Sequence, residues 1–275
     1  MPIAKVGDIN IYYEDQGKSK GKVLLLIPGI SCDSTIWFRQ IPAFSKKYRV
    51  IVVDNRGAGR SDKPDIPYTM EMLAADIAGL LDIINISTAH VFGHSLGGTI
   101  AQHFALNFPK KVRTLILGAT SCGGQHRFQG TLAEAFMAFW TPDHRRTLTP
   151  REIFQEGLSF EFTQKFIDNN PALIERHFIE RTRYPAPPHT VARQGQAAAG
   201  HHTYDRLPEI KVPTLVIAGD ADGLFSIENS RLLASRIPSA ELVLLKNTAH
   251  TFQIEAAEET NKLVLSFLSK HSRSD

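Results

Sequence analysis

The sequence predicts an α/β protein in which helices cover both faces of a mostly parallel sheet. Short apolar runs bounded by turn residues recur along the chain, and helix-like stretches separate them. Most of these runs carry apolar residues on both faces, which is typical of strands that are buried on both faces. From about residue 121 to residue 205 only helical patterns occur. We therefore expect one sheet-based domain with a helical insertion, which 275 residues can accommodate.

The strands are predicted in chain order from these runs. The first, at residues 9–14, alternates apolar and polar positions, which indicates an edge strand with one face in water. The later runs are apolar on both faces, and they are Val23–Ile27, Val50–Asp54, Ala89–Gly93, Arg113–Gly118, Thr214–Gly219 and Glu241–Leu245.

Helices are predicted where apolar side chains recur at intervals of three and four. Two such segments, Thr69–Ile84 and Phe252–Ser269, belong to the sheet domain. The insertion holds four more, at residues 131–140, 149–158, 171–183 and 188–202, and Thr149 before Pro150 is a suitable N-cap. The sequence thus predicts a core of residues 1–120 and 206–275 and a helical cap of residues 121–205.

Composition excludes several classes of function. The formal net charge is +3, and the basic residues are scattered, which argues against nucleic acid as a partner. Two cysteines, Cys32 and Cys122, are too few for a disulfide framework. The first residues lack the apolar stretch of a signal peptide, and no apolar run is long enough to span a membrane. We expect a cytoplasmic protein that binds neither nucleic acid nor membranes, and the sequence does not indicate its oligomeric state.

The stretch VFGHSLGGTI, from Val91 to Ile100, is a candidate nucleophile turn. A strand that passes through one exposed serine directly into a helix presents the hydroxyl group at the edge of a sheet. Such a sharp turn leaves little space for side chains two positions before and after the serine, which accounts for Gly93 and Gly97 around Ser95. The alternative is an ordinary glycine-rich turn between a strand and a helix. A turn of this kind can also bind a phosphate, but neither common phosphate-binding pattern occurs here.

A serine nucleophile needs a base and an acid that orients the base. In the chain order serine, acid, histidine, the acid follows the strand Thr214–Gly219 as Asp220 or Asp222, and His250 follows the last strand. We favour Asp222, because the loop must leave its strand before it turns back toward the histidine. Backbone N–H groups of Leu96 and of Ile30 are the predicted donors to the oxyanion.

These motifs together resemble those of α/β-hydrolase-fold serine hydrolases with a cap. The matching segments are PGI (Pro28–Ile30), DNRGAGRSD (Asp54–Asp62), GHSLGG (Gly93–Gly98), GDAD (Gly219–Asp222) and AH (Ala249–His250), in the same order over nearly the whole chain. The resemblance implies Ser95 as nucleophile, Asp222 as orienting acid, His250 as base, and Ile30 and Leu96 as oxyanion donors. It also implies a structural role for DNRGAGRSD, as a turn that positions the loops beneath the pocket.

The substrate class follows from the same resemblance. Serine at position 95, instead of aspartate, argues against the haloalkane dehalogenases and epoxide hydrolases. The segments around the last two strands are similar to carboxylesterases and 3-oxoadipate enol-lactonase, so hydrolysis of an ester or lactone through an acyl-enzyme is the first interpretation. The alternatives are a carbon–carbon bond hydrolase acting on a diketone, a cofactor-free perhydrolase, and a ligand-binding signalling receptor. No cofactor is implied, and the histidine and acid spacings indicate no metal site.

Further side chains are candidates for contacts with a small-molecule ester or lactone, and packing inside the protein is the alternative for each. Aromatic and histidine candidates lie in the cap or beside the nucleophile, and they are Trp37, His94, Phe136, Phe139 and Trp140. The candidates for binding a substrate carboxylate are Arg145, Arg146, Arg181 and Arg183. The two cysteines either line the pocket or are inert thiols.

Overall fold

The computed structural model describes residues 2–18 and 20–271, which contain one mixed sheet of eight strands. The strands are β1 (Ile3–Val6), β2 (Ile9–Gly17), β3 (Val23–Ile27), β4 (Arg49–Val53), β5 (Ala89–His94), β6 (Val112–Gly118), β7 (Thr214–Gly219) and β8 (Ala240–Leu245). They lie in the order β1-β2-β4-β3-β5-β6-β7-β8, and all neighbours from β4 to β8 are parallel. The six predicted apolar runs are strands with bounds correct to within one residue.

The prediction for the first strand was wrong in one respect. Strand β2 is not at the edge of the sheet, because it pairs antiparallel with β1 on one side and with β4 on the other. Its alternating pattern reflects one buried face and one wetter face, and neither feature requires a free edge. The edge strand on this side of the sheet is the short β1, whose Ile3 side chain is more than half exposed.

The described helices lie between the parallel strands along the chain and after the last of them. In chain order they are α1 (Ile41–Phe44), α2 (Met70–Ile83), α3 (Leu96–Asn107), α4 (Ala133–Phe139), α5 (Pro142–Arg145), α6 (Pro150–Glu161), α7 (Gln164–Asn169), α8 (Pro171–Thr182), α9 (Pro188–Ala199), α10 (Ile227–Arg236), α11 (Phe252–Glu255) and α12 (Ala257–Lys270). The predicted C-terminal helix is therefore two helices, because Ala256 has non-helical backbone angles. Thr149 caps α6 as predicted, since its hydroxyl accepts a hydrogen bond from the Glu152 N–H.

Apolar side chains on the two faces of the sheet form two separate core clusters. In β3, Leu25 and Ile27 pack in the cluster with α2, α3 and α10, whereas Leu24 and Leu26 pack on the opposite face with α1 and α12. Successive side chains of a strand point to opposite faces. Helices on both faces therefore explain why the parallel strands carry apolar residues on both of their faces.

The segment between β6 and β7 is helical, from α4 to α9. Its two ends lie together, because Gly123 and His202 form an isolated antiparallel bridge and the Thr203 N–H donates to the Cys122 carbonyl. Leu158 of this segment packs in the core cluster on the α1 and α12 face of the sheet. The division into a core and a cap stays a prediction.

The strand order determines where the predicted site residues can meet. Strands β5, β6, β7 and β8 are consecutive neighbours and all parallel, so their carboxyl ends lie along one edge of the sheet. Residues that follow β5, β7 and β8 therefore converge there, as ligand and substrate sites of open α/β sheets do.

Candidate active site

The turn at Ser95 has a strained backbone that glycine neighbours make possible. Ser95 has φ 55° and ψ −120°, and α3 begins at the next residue. A Cβ atom at Gly93 would lie 2.1 Å from the Gly97 carbonyl oxygen, and one at Gly97 would lie 2.1 Å from the Ile27 carbonyl oxygen. Since non-bonded carbon and oxygen atoms never approach so closely, only glycine fits at either position.

Side chains from the ends of β5, β7 and β8 form a hydrogen-bonded chain. His250 Nε2 lies 3.0 Å from Ser95 Oγ, and His250 Nδ1 lies 2.8 Å from Asp222 Oδ2. A carboxylate only accepts, so the Nδ1–H group donates to Asp222 and a neutral imidazole has its Nε2 lone pair toward the serine hydroxyl. Ser95 Oγ–H then donates to His250, which is the arrangement that activates a serine.

The structure also separates the two candidate acids. Asp222 is buried, and its second oxygen accepts from the N–H groups of Leu224 at 2.8 Å and of Phe225 at 3.0 Å. Asp220 is exposed, and its side chain is not part of the chain that includes His250. The loop thus leaves β7 for two residues before the carboxylate turns toward His250.

The side chains of His94 and Trp37 are both buried and contact other protein groups. The buried His94 Nε2–H donates to the His250 backbone carbonyl at 2.9 Å. Burial and the neighbouring His250 imidazole together lower the pKa of His94 to about 3, so it is a neutral structural partner at ordinary pH. Trp37 is fully buried, with its ring 4.9 Å from the ring of Phe92. These placements favour packing over substrate contact for both residues.

The loop after β3 lies against the nucleophile turn. A Cβ atom at Gly29 would be 3.3 Å from Ser95 Cβ, so the two segments are in close contact. Within residues 2–18 and 20–271, no acceptor is hydrogen-bonded to the backbone N–H of Ile30 or of Leu96. Both groups are therefore available to donate to a ligand oxygen.

The DNRGAGRSD segment (Asp54–Asp62) is hydrogen-bonded to the loop after β3. Fully buried Asp54 accepts from the Ser34 N–H at 2.7 Å and from the Arg60 N–H at 2.8 Å, and the Asn55 side-chain amide donates to the Pro28 carbonyl. These bonds fix the backbone on both sides of Gly29. The contacts agree with the structural role that the resemblance implies.

The aromatic candidates of α4 pack mainly on one another and on neighbouring apolar groups. Phe139, Phe160 and Leu224 form a buried cluster, and Phe136 and Trp140 pack at its margin. The cluster reaches the hydrogen-bonded chain through the residue after Leu224. There the Phe225 ring is stacked on the His250 ring, with centroids 5.5 Å apart and planes 14° apart. Packing is thus shown for the α4 side chains, and substrate contact stays a prediction.

The four candidate arginines have different surroundings. Arg181 donates to the Ser31 carbonyl at 2.9 Å and thereby contacts the loop after β3. Arg183 forms an ion pair with Glu180, and Arg146 is exposed. The guanidinium carbon of Arg145 lies 4.2 Å from the centre of a Trp140 ring. Among the four, Arg181 has a contact that connects it to the predicted oxyanion loop.

Two acidic residues near His250 were not predicted from the sequence. The Glu161 carboxylate is bonded to buried His177 at 2.7 Å, and its backbone carbonyl accepts from the Thr251 N–H at 2.8 Å. Burial alone would raise the pKa of Glu161, but His177 and more distant cations lower it to about 2. Glu255 accepts from the Ala249 N–H at 2.7 Å. The Thr251–Glu161 contact joins residues far apart in sequence, and the Ala249–Glu255 contact spans six residues across a loop, so no local pattern signals either contact.

The two cysteines are free thiols. Burial raises the pKa of Cys32 to about 11, and burial also raises the pKa of Cys122. Both side chains are therefore protonated at neutral pH and unreactive as nucleophiles. In the part of the chain that the structure describes, no three histidine, cysteine, aspartate or glutamate side chains are arranged to hold a metal ion. No described helix has the length and apolar character needed to cross a membrane.

A family model described as the alpha/beta hydrolase fold matches residues 22–257. The chain belongs to the α/β-hydrolase family. The predicted fold class and the assignment to the hydrolases are thereby confirmed, and the matched residues span Ser95, Asp222 and His250.

Curated α/β-hydrolase relatives differ in the bond that their names imply. The chain is 30% identical to a protein of Azorhizobium caulinodans named carbamate hydrolase RutD, over 97% of this chain and 98% of that protein. It is 28% identical to 3-oxoadipate enol-lactonase 2 of Acinetobacter baylyi, over 94% and 92%. It is 30% identical to a 2-hydroxy-6-oxononadienedioate/2-hydroxy-6-oxononatrienedioate hydrolase of Burkholderia vietnamiensis, over 96% and 92%.

Among solved structures, the enol-lactonase from Burkholderia xenovorans LB400 is similar over 98% of this α/β-hydrolase and 100% of that chain. Its TM-score is 0.86 and its sequence identity is 27%. The similarity extends over nearly all of both chains, including the helical segment between β6 and β7.

Proposed function

We propose that this protein is a serine hydrolase that cleaves a carboxylic ester or lactone through an acyl-enzyme on Ser95. The observation that carries the proposal is the hydrogen-bonded chain from Ser95 through His250 to buried Asp222. Similarity to enol-lactonases in both sequence and structure supports the choice of ester or lactone.

In the first half of the reaction, Ser95 Oγ attacks the substrate carbonyl carbon while His250 Nε2 takes the hydroxyl proton. Negative charge develops on the carbonyl oxygen, which the N–H groups of Ile30 and Leu96 stabilise. The carbon–oxygen bond to the leaving group then breaks, and His250 gives its proton to the departing oxygen. Ionised Asp222 keeps the imidazole in the required tautomer and stabilises its transient positive charge.

In the second half, water attacks the acyl carbon and gives a proton to His250 Nε2. The bond between the acyl carbon and Ser95 Oγ breaks, and the proton returns to the serine oxygen. An ester releases an alcohol after the first half and an acid after the second. A lactone instead stays in one piece, because its leaving oxygen remains tethered to the acyl group.

We also propose that residues 121–205 act as a cap over this chemistry. Two contacts support the proposal: the α4 aromatic cluster adjoins Leu224 and Phe225 beside His250, and the Glu161 carbonyl at the end of α6 accepts from the Thr251 N–H. In this arrangement the segment shapes the space in front of Ser95. Its side chains would then decide which acyl groups fit.

Cleavage of a carbon–carbon bond in a diketone is a second candidate function. The Burkholderia vietnamiensis relative, whose name describes an oxononadienedioate hydrolase, favours it at 30% identity. The same serine, histidine and aspartate would serve both reactions, so the triad geometry does not discriminate between them. A panel of acyl esters, lactones and vinylogous diketones, assayed side by side, does discriminate.

The test of the catalytic assignment is Ser95→Ala with p-nitrophenyl acetate and butyrate as substrates. We expect kcat to fall by about a million-fold, because members of a serine triad act as a unit. Ser269→Ala, at an exposed position of α12, is the matched control and should retain full activity. Retained turnover in the Ser95 variant would refute the assignment.

A further inference from the structure

The backbone on both sides of His250 is hydrogen-bonded to groups outside its own loop. On one side, the Ala249 N–H donates to Glu255 Oε2 at 2.7 Å. On the other side, the Thr251 N–H donates to the Glu161 carbonyl at the end of α6, at 2.8 Å. Ala249 and Thr251 are both buried, so an unpaired N–H at either position would be costly. These two acceptors, together with the bond from His94 to the His250 carbonyl, hold the backbone that carries the imidazole.

The carboxylate of Glu255 makes a second connection at its other oxygen. Glu255 Oε1 accepts from the Thr163 N–H at 3.2 Å and from the Thr163 hydroxyl group. Thr163 is the N-cap of α7, where its hydroxyl also accepts from the Phe166 N–H. One carboxylate thus joins the loop of His250 to the junction between α6 and α7.

Glu161 and Thr163 are two residues apart, at the junction between α6 and α7. A movement of the α6–α7 junction away from the sheet breaks the Thr251–Glu161 bond and the Glu255–Thr163 bonds together. The backbone after His250 would then lose its acceptor, and Glu255, which holds the backbone before His250, would lose the contact that fixes its carboxylate. The 3.0 Å approach to Ser95 Oγ and the 2.8 Å approach to Asp222 require the ring to stay in place.

We propose that Glu255 is a positioning residue for His250, and that through Thr163 it makes the geometry of the base dependent on a seated helical segment. Proton transfer is then efficient when the α6–α7 junction is docked on the loop of His250. The inference rests on the proposed function, because it assigns its effect to the proposed base.

The variants Glu255→Gln and Glu255→Ala test this role. Ala249 and Thr163 donate to different oxygens of Glu255, and glutamine replaces one of these oxygens by an NH2 group, which cannot accept from a backbone N–H. We expect kcat with p-nitrophenyl butyrate to fall by about 10- to 100-fold, the effect of a misplaced catalytic group, with KM changed by less than about twofold. Glu259→Gln, at an exposed position of α12, is the matched control.

Thr163 provides an independent variant on the other side of the contact. Thr163→Val removes the hydroxyl donor and should lower kcat in the same direction as Glu255→Gln, whereas Thr163→Ser keeps the hydroxyl and should rescue the rate. A double variant of Thr163→Val and Glu255→Gln should lose less than the product of the two single losses, since both changes act on one contact.

A measurement without substrate separates this inference from the proposed function. The downfield proton NMR signal of the His250 Nδ1–H, which donates to Asp222, should broaden or shift in Glu255→Gln and stay unchanged in Glu259→Gln. Thermal unfolding identifies variants that have lost the fold. An unchanged signal and unchanged kcat in folded Glu255→Gln would overturn the inference and leave the serine mechanism intact. Retained activity in Ser95→Ala would instead overturn the mechanism.

Discussion

Replacement of Gly97 by alanine tests whether the close packing beneath Ser95 is needed for catalysis. The new Cβ atom would lie 2.1 Å from the Ile27 carbonyl oxygen and 2.7 Å from the Pro28 carbonyl oxygen. Ordinary contact begins at 3.4 Å, so the two backbones must separate by 3.4 − 2.1 = 1.3 Å. Neither obstacle is a flexible side chain that can rotate away.

This displacement would change the distance between Ser95 and the Ile30 N–H. Gly97 is two residues after Ser95, and Pro28 is two residues before Ile30, so the nucleophile and a predicted oxyanion donor move apart. A misplacement of about 1 Å costs on the order of 100-fold in rate. Excess volume in a packed interior also destabilises a protein by about 1–3 kcal/mol.

The assay compares kcat/KM for p-nitrophenyl butyrate with the thermal unfolding midpoint of the same samples. Gly157→Ala in α6 is the matched control, because its Cβ atom would meet Phe139 at an ordinary 3.5 Å. Alanine in a helix interior should make that control more stable by up to about 1 kcal/mol. If folded Gly97→Ala kept kcat/KM within about twofold of the unaltered protein, the steric reasoning would be refuted.

The remaining predictions concern the acidic residues Asp222, Asp220 and Glu161. Asp222→Asn should lower kcat by about ten-thousand-fold through the wrong histidine tautomer, whereas Asp220→Asn should stay near wild type; the reverse order would reject Asp222. The pKa of Glu161 is lowered to about 2 in the folded protein, whereas an unfolded chain has the ordinary glutamate pKa of about 4.3. Ionised Glu161 therefore stabilises the fold above about pH 4.3, and this stabilisation is lost as the pH falls toward about 2. In thermal melts from pH 7 to 2, Glu161→Gln should be less stable at pH 7 and converge with the parent in acid. The exposed control Glu134→Gln should follow the parent throughout.

The sheet was predictable from the sequence because burial on both faces leaves a local signal. Each parallel strand is a continuous apolar run between turn residues, so its bounds are visible without knowledge of its neighbours. Strand β1 was missed because its four residues alternate between exposed and buried and are too short to form a clear pattern. The break between α11 and α12 was missed because Ala256 is itself compatible with a helix.

The hydrogen-bonded chain was also predictable, since its members lie at or shortly after strand ends in a fixed order. The supporting acids were not, because their partners are distant in sequence: Thr163 and Glu255 are separated by 92 positions. For the aromatic side chains of α4, composition cannot distinguish packing from substrate contact. Their mutual packing depends on the tertiary structure, which places α4 beside α6 and the loop after β7.

The bond from His94 to the His250 carbonyl has a practical consequence for experiments with trapped ligands. This bond joins the residue before Ser95 to the backbone of His250, and it does not involve the serine hydroxyl. Removal of that hydroxyl in Ser95→Ala therefore leaves the imidazole supported from below and oriented by Asp222. The variant should retain an assembled pocket that holds an intact substrate without consuming it, which makes it the form of choice for co-crystallisation and for binding measurements.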